Sequence, residues 1–433
     1  MSRIRIQQFG STLILAGVLA GCGDGGSESV VAIAPTETAT GSQAAETPGT
    51  TEPKAAGVTA SIESPVKAAA DSEKPAMKSA FPDDEATKTL REIQQLRIAA
   101  LPTTNIEEAR VARRERNERI IDMATQVLRL TMNEESRKPQ FHLAIGQLLE
   151  ARFQMALSGT KEDVDLFYAD VQTLNDRNSK SVAAAEGVYY IAKFAHTKAG
   201  LMGKTQPVWF ETLSRWAREF ADRFPEQQQR AVSLLFGAAR SCELHSVATE
   251  DVELSPRLLT EARLCYTALA EKFPKSDQGQ EATASLRRLA LPGQVLSQFS
   301  GPTADGGMVS ADEFPGRPTL IYFWDSESDE FTRDILPLLD KVRSQLTNDR
   351  LRMVGVALDE DESTLNTFME SHNVPGQQIF FPNAEQRSWN SPLVRFWGIP
   401  TSPSIWLVDA KGKVVSTTIE TDDLMAQLKK VVK

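Results

Sequence analysis

The side chains of the C-terminal third that are most suited to chemistry belong to a run of seven residues, which directly follows a predicted strand. The apolar run PTLIYFW ends at Trp324 and is followed by four acids, two serines and a phenylalanine. This pattern predicts a buried strand, a loop and the start of a helix. A second apolar run follows Ser402-Pro403, where a cis peptide bond costs little. The residues of the first stretch are Trp324, Asp325, Ser326, Glu327, Ser328, Asp329, Glu330 and Phe331.

Ser328 could act as a nucleophile only with a base beside it. The sole histidine of this region, His372, falls in a different connecting segment, and the sequence indicates no partner for it. A thiol nucleophile is absent, since no cysteine occurs after Cys265. We therefore assign no catalytic residue here, and the sequence predicts no cofactor.

The acids of the loop form one half of a predicted acidic edge. Asp359 to Glu362 follow the next predicted strand, and ligands of open α/β sheets bind at the edge where the carboxyl ends of the strands meet. Such an edge could bind a basic peptide or a hard cation such as calcium. The alternative, which we prefer, is that the carboxylates are favoured at two helix N-termini by the backbone dipole. No EF-hand spacing occurs, and no metal site is assigned.

Two cysteines lie on apolar stripes of predicted helices, so both thiols are expected to point into a helix-packing core. A free cysteine in such a core behaves as a small apolar side chain. A structural disulfide between Cys242 and Cys265 is the alternative, which an exported location would permit, and a catalytic pair is disfavoured. The stripes are Val232, Leu235, Ala239 and Cys242, and Leu258, Ala262, Cys265 and Leu269.

Two folded regions must position these residues. Residues 292–433 alternate apolar strands with helical patterns and end in a hairpin, which predicts an α/β sandwich around a mixed sheet. Residues 84–291 repeat apolar positions every three or four residues, which predicts an all-α domain of antiparallel helices. Segments beginning at Phe220 and Leu269 share a Phe-Pro break, with a fainter echo from Leu174. We predict a helical repeat array, similar to tetratricopeptide (TPR) repeats but with a longer period, whose concave face could bind protein.

The N-terminal part of the chain has the composition of a signal and a tether. Arginines, an apolar segment and small residues within 1–21 are typical of a secretory signal peptide. The junction Leu19-Ala20-Gly21-Cys22 resembles a bacterial lipobox, which implies lipidation of Cys22. Residues 22–83, rich in Ala, Thr, Ser, Glu, Gly and Pro, predict a disordered tether. We therefore expect the protein in the cell envelope, lipid-anchored and facing the periplasm.

The composition excludes some partners. The 433 residues carry a net charge of -10 with a pI near 5.2, which argues against a general binder of nucleic acid or of anionic surfaces. The richest basic run, from Ala109 to Arg119, contains Glu115 and Glu118. It is typical of a solvated helix face with internal ion pairs.

Six short motifs occur in order in residues 292–433. They are the Asp305-Gly306 turn, the Pro315-Gly316-Arg317 lead-in, Phe323-Trp324, the run VGVALDED, the Ser402-Pro403 turn and the hairpin VDAKGKVV. Together they resemble the thioredoxin-like domains of the TlpA and peroxiredoxin-related (AhpC/TSA-like) class. The resemblance implies a thiol-disulfide oxidoreductase with Trp-Cys-x-x-Cys at a helix N-terminus and a cis-proline loop beside bound peptide.

The chain departs from that pattern at the cysteines. An alignment anchored on the Phe-Trp pair puts Ser328 and Phe331 at the two cysteine positions. One anchored on Pro337 puts Asp329 and Thr332 there. Thiol exchange needs a thiolate, and serine has no comparable acidity. The sequence therefore predicts a degenerate active-site loop.

We predict an exported lipoprotein with a helical repeat domain and a redox-inactive thioredoxin-like domain that binds protein or peptide partners at the envelope. The first alternative is a thiol-disulfide oxidoreductase, which would have to bring Cys242 and Cys265 to the Pro403 edge. The second is a purely architectural envelope protein.

Overall fold

The computed structural model describes residues 84–347 and 349–432. The predicted signal peptide of residues 1–21, the predicted tether of residues 22–83 and the predicted lipidation site Cys22 lie outside the described residues. Within the described part of the chain, no helix combines the length and the apolar character that a membrane span requires.

Nine α-helices fill the described residues up to Leu289. They are α1 (Glu85–Ile98), α2 (Ile106–Thr131), α3 (Lys138–Ser158), α4 (Lys161–Arg177), α5 (Val182–Met202), α6 (Val208–Arg223), α7 (Gln228–Ala248), α8 (Leu254–Lys272) and α9 (Asp277–Leu289). They enclose two apolar cores, one between α1 and α5 and one between α5 and α9. The predicted helical region is thus confirmed, and the TPR-like repeat stays a prediction.

The helices begin and end where the sequence supplies the signals. Asn105 accepts hydrogen bonds from the backbone N–H groups of Glu107 (3.0 Å) and Glu108 (3.2 Å), which satisfies two donors that the start of α2 leaves unpaired. Phe224 and Phe273 end α6 and α8 with nearly equal backbone angles, φ -131°, ψ 55° and φ -130°, ψ 48°. Both rings are buried. The Phe-Pro break is therefore the same backbone turn used twice.

The C-terminal domain is built around a five-stranded mixed sheet. Its strands are β3 (Thr319–Trp324), β4 (Arg352–Ala357), β5 (Gln377–Ile379), β6 (Ser404–Val408) and β7 (Val414–Ser416), and β1 (Ser300–Pro302) and β2 (Met308–Ser310) form a separate hairpin. The order of the strands across the five-stranded sheet is β5-β4-β3-β6-β7. The helices are α10 (Leu336–Gln345), α11 (Glu362–Ser371), α12 (Pro392–Trp397) and α13 (Thr421–Val431). Strands β3, β4 and β5 are parallel, whereas β6 and β7 run antiparallel to their neighbours. The predicted α/β sandwich around a mixed sheet is confirmed.

Strand β3 lies at the centre of the sheet, and all six of its residues are buried. Ile321 and Phe323 belong to the core under α12, whereas Tyr322 and Trp324 belong to the core under α10, α11 and α13. Side chains of a strand alternate between its two faces. The uniformly apolar run is therefore explained by helices that cover both faces.

Helix α9 packs against the C-terminal domain through a buried charge. Arg288 is fully buried, lies 2.7 Å from a carboxylate oxygen of Glu243, and donates from Nε to the carbonyl oxygen of Gly398 (2.9 Å). Gly398 ends α12 with φ +58°, and a Cβ there would stand 2.6 Å from the backbone nitrogen of Ser285. Both the left-handed conformation and the close approach require glycine. The two domains are therefore in direct contact at the segment that leads to Ser402.

Candidate functional site

The two acidic segments meet at the carboxyl ends of β3 and β4. The backbone N–H of Ser326 donates to Oδ1 of Asp359 at 3.1 Å, and the Ser326 hydroxyl donates to the same oxygen. The expected juxtaposition at one sheet edge is therefore found. We call this surface the sheet edge and define it as residues 325–331, 359–362 and 401–403.

Asp359 is the most buried acid of the sheet edge, with 6% of its surface exposed. Its second oxygen, Oδ2, has no hydrogen-bond partner within the described part of the chain. Burial raises the pKa of this carboxyl above its ordinary value, the hydrogen bonds from Ser326 oppose the rise, and the charge of Asp325 adds to it. Asp359 therefore takes up a proton more readily than a solvent-exposed aspartate does.

The other acids of the second segment serve the start of α11. Asp361 accepts a hydrogen bond from the backbone N–H of Thr364 at 2.8 Å and so caps the helix. Glu362 forms an ion pair with Arg387 at 2.9 Å. Among the residues that the structure describes, no group of three acid, histidine or cysteine side chains converges as metal ligands would. These contacts agree with the preferred interpretation of acids at a helix N-terminus.

Ser328 caps the helix that follows β3. Its hydroxyl oxygen accepts a hydrogen bond from the backbone N–H of Phe331 at 3.1 Å, and Asp329 and Glu330 are already helical. This is the geometry of a serine N-cap, in which the side chain satisfies a donor of the first turn. The oxygen of Ser328 is thus held by the helix start.

Phe331 fills the space beneath that helix start. Its ring is fully buried and stacks on Trp324 with the ring centroids 4.5 Å apart. The centroid of the Tyr322 ring lies 6.2 Å from that of Phe331. An apolar stack therefore occupies the place where the Phe-Trp alignment puts a second cysteine.

A π-helical turn from Phe331 to Ile335 follows, before α10 begins. A π-turn holds one more residue than an α-turn does. The turn lies between Trp324 and Pro337, the two anchors whose alignments differ by one position. Under the alignment anchored on the Phe-Trp pair, Ser328 and Phe331 stand at the predicted cysteine positions.

The second predicted stretch lies against the first. The Ser402–Pro403 peptide bond is cis. The hydroxyl of Ser402 donates to Oδ2 of Asp325 at 2.9 Å, and both residues are half-buried. The neighbouring Thr401 is exposed. The structure therefore brings the loop and the turn together at the sheet edge.

His372 makes its contacts within its own helix end and not with Ser328. Its ring stacks on Phe368 with the centroids 4.2 Å apart, and Nδ1 lies 3.0 Å from the hydroxyl of Ser371. Within the described residues, Ser328 has no base beside it. The arrangement needed for serine nucleophilic catalysis is not formed.

The two thiols of the described residues are free and fully buried in the helical core between α5 and α9. All eight residues of the two predicted stripes are buried, which confirms that interpretation. Burial raises the pKa of Cys265 to about 11 and raises the pKa of Cys242 further, with a contribution from Cys265 itself. The Cys265 sulfur lies 3.1 Å from the hydroxyl of Ser214. No disulfide joins the two sulfurs in this structure.

One buried side chain that supports the site was not predicted. The amide of Gln378 accepts a hydrogen bond from Nε1 of Trp324 (3.0 Å) and donates to the hydroxyl of Tyr322 (2.8 Å). A Cβ on Gly355 would stand 1.9 Å from the Gln378 side-chain oxygen. Gly355 is the sequence signal that could have predicted this contact, because a glycine inside a strand often marks a site that another group approaches closely.

The sequence of this domain matches the model of a known family. The model of the AhpC/TSA family matches residues 292–417. Residues 292–417 therefore carry a thioredoxin-like domain.

Solved structures of thiol-disulfide oxidoreductases are similar to this chain. The thioredoxin domain of one from Bacteroides vulgatus is 24% identical and covers 33% of this chain and 98% of its own, with a TM-score of 0.30. One from Bacteroides fragilis is 24% identical and covers 32% of this chain and 100% of its own, with a TM-score of 0.28. A comparison with curated proteins gives no match.

Proposed function

We propose that the thioredoxin-like domain of this chain does not exchange thiols and binds an extended segment of a protein or peptide partner at the sheet edge. One observation carries the proposal. The position at which a helix N-terminus would activate a thiol holds Ser328, whose oxygen caps the helix, and the next cysteine position holds the buried ring of Phe331. Thiolate attack has no nucleophile there.

The surface around the cap favours binding over a purely architectural role. The Asp325–Ser402 hydrogen bond joins the loop to the turn that carries Pro403. Glu327, Asp329 and Thr401 beside it are exposed. A partner would therefore meet a fixed backbone with polar groups directed outward.

Insulin reduction tests the redox half of this proposal. The protein with Cys22→Ser should reduce insulin disulfides no faster than dithiothreitol alone, because Cys242 and Cys265 are buried and poorly ionised. A rate well above this background that disappears in the Cys242→Ser variant would favour the oxidoreductase alternative.

Site-specific crosslinking tests the binding half. A photoreactive amino acid is placed at Thr401, and in a control protein at Lys411 in the turn between β6 and β7, which is also exposed. Defined adducts in envelope extracts are expected from position 401 and not from position 411. The same adducts from both positions, or none from either, would support the architectural alternative.

We also propose that Cys22 anchors the chain to a membrane of the cell envelope on the periplasmic side. The support is the lipobox-like junction and the signal-like residues before it. Labelling with a fatty acid should mark the full chain and not the Cys22→Ser variant, and the label should follow the membrane fraction. A labelled Cys22→Ser variant contradicts this assignment.

A further inference from the structure

A cavity of about 450 Å³ lies between the two domains. The ends of α7, α8 and α9 form one wall, and β7, the segment after it and α13 form the other. No residue of the sheet edge lines it. Its volume is within the range of small-molecule sites in proteins.

Two serine hydroxyls of the cavity wall can act as acceptors for a ligand. Ser246 and Ser255 both line it, and each donates its own hydrogen to a backbone carbonyl oxygen at 2.6 Å. Ser416 donates to the carbonyl oxygen of Thr418 at 2.5 Å and already accepts from the backbone N–H of the same residue at 3.1 Å. The oxygens of Ser246 and Ser255, whose hydrogens are committed, keep lone pairs for an incoming donor. The wall therefore suits a ligand that carries several N–H groups.

Three carboxylates also line the cavity. Glu243 is 1% exposed, and its Oε1 contacts Arg288 at 2.7 Å without the alignment of a hydrogen bond. Glu420 and Asp423 line the opposite wall and are exposed. Burial, with the charges of Glu330, Asp422 and Asp423, raises the pKa of Glu420. A cation placed at this wall would reduce the crowding of negative charge.

The basic groups near the cavity are already engaged. Arg263 lines it and donates to the carbonyl oxygen of Leu289 at 2.8 Å. Arg288 lies behind Glu243 and bonds to Gly398. With Glu243 paired to Arg288, the balance of the lining is two exposed carboxylates, Glu420 and Asp423, against one arginine, Arg263.

We propose that this junction cavity binds an alkyl ammonium or guanidinium group. The group could belong to a basic side chain of a peptide or to a free polyamine, which share this chemistry. The inference rests on the cavity and its acceptors and is independent of peptide binding at the sheet edge.

The test measures the binding of defined amines to the full chain with Cys22→Ser. Calorimetry gives the affinity, and NMR of the protein shows which residues respond. The probes are spermidine, the peptide Ala-Lys-Ala with blocked ends, and the same peptide with an acetylated lysine. Binding of the lysine peptide or of spermidine is expected, and acetylation should abolish it. Preference for one of the two identifies the source of the amine.

Two neighbouring acids of α13 provide a matched pair of variants. Asp423 lines the cavity, whereas Asp422 is exposed and does not line it. Asp423→Asn should weaken the amine about five-fold, the loss expected for one partly screened charge, and Asp422→Asn should change it less than two-fold. Both variants remove the same charge from an exposed position, so both should fold. Equal weakening by the two variants, binding of the acetylated peptide, or no binding of any amine would overturn the proposal.

Discussion

A thiol-dependent site needs a thiol, access for its substrate and a helix N-terminus. In this protein the sheet edge has the access and the helix N-terminus, whereas the helical core has the thiols. The sheet edge has access and a helix N-terminus, and its side chains there are Ser328, Asp325 and Ser402. The helical core has the two thiols, and neither is exposed. Exchange requires an exposed thiolate near a helix start or a cation. Neither region meets all of these conditions alone.

The two regions also differ in how they hold charge. At the sheet edge, Asp325, Asp359 and Asp361 bond to serine hydroxyls or to a helix start, and most acids of this edge are exposed. Beside the helical core, Glu243 and Arg288 are both fully enclosed, and Tyr266 donates to Glu243 at 2.7 Å. A buried network fixes structure, whereas an exposed one can be rearranged by a partner. The difference indicates that the junction holds the domains together, and it supports our proposal that a partner binds at the sheet edge.

Removal of the buried arginine should have the largest effect on stability. Arg288→Met is expected to lower the free energy of unfolding by about 3–5 kcal/mol, because Glu243 would stay buried without its counter-charge. Urea denaturation measures the loss. Arg287→Met is the control, since Arg287 is half-buried and contacts Phe396. A loss for Arg288→Met no larger than for Arg287→Met would show that the junction charge is not structural.

A thiol placed at the sheet edge should behave unlike the two native ones. Ser328→Cys, with Cys22→Ser, is expected to give one thiol that reacts with Ellman's reagent at pH 8 about 100-fold faster than Cys265, because a helix N-terminus lowers a thiol pKa whereas burial raises that of Cys265 to about 11. The parent protein should show no fast thiol until it is unfolded. Equal rates for all three thiols would contradict the difference in access between the two regions.

Two variants can separate the two reasons for glycine at position 398, which are its left-handed backbone conformation and its close contact with α9. Gly398→Ala is expected to cost about 1–3 kcal/mol from the left-handed conformation, with a further loss from the clash with α9. Gly306, at φ +87° in open space, provides the control for the first contribution alone. Thermal denaturation of Gly398→Ala and Gly306→Ala gives the two values. Equal losses would mean that α9 does not press on this segment.

The sequence predicted the features that depend on local spacing. The two cysteine stripes and the gathering of the acids at one edge follow from helix and strand periodicity and are found. The contact between Arg288 and Gly398 joins residues 110 positions apart. No local pattern records which distant carbonyl a buried arginine will meet. The Ser402–Asp325 bond was missed for the same reason. Helix α12 was missed because its six residues are too few to show a helical period.

The smallest predicted effect concerns Asp359 and Asp361, whose contributions to the stability of the protein should change in opposite directions with pH. The pKa of Asp359 is raised by burial above the ordinary 3.8, so its contribution to stability is complete below that value and is lost as the pH rises through the folded-state pKa. The pKa of Asp361 is lowered from 3.8 by the Ser363 hydroxyl and the Thr364 N–H, so its contribution is present above that value and is lost as the pH falls.

Denaturation of the parent protein, Asp359→Asn and Asp361→Asn between pH 7 and pH 3 measures both slopes. Relative to its variant, the parent should gain stability through Asp359 as the pH falls from 7 toward 4, and should lose the contribution of Asp361 below about 4. Parallel curves for the parent and Asp359→Asn would mean that Asp359 is solvated like the rest of the sheet edge. The raised pKa would then be absent, and the distinction between a buried acid and a capping acid at this edge would fail.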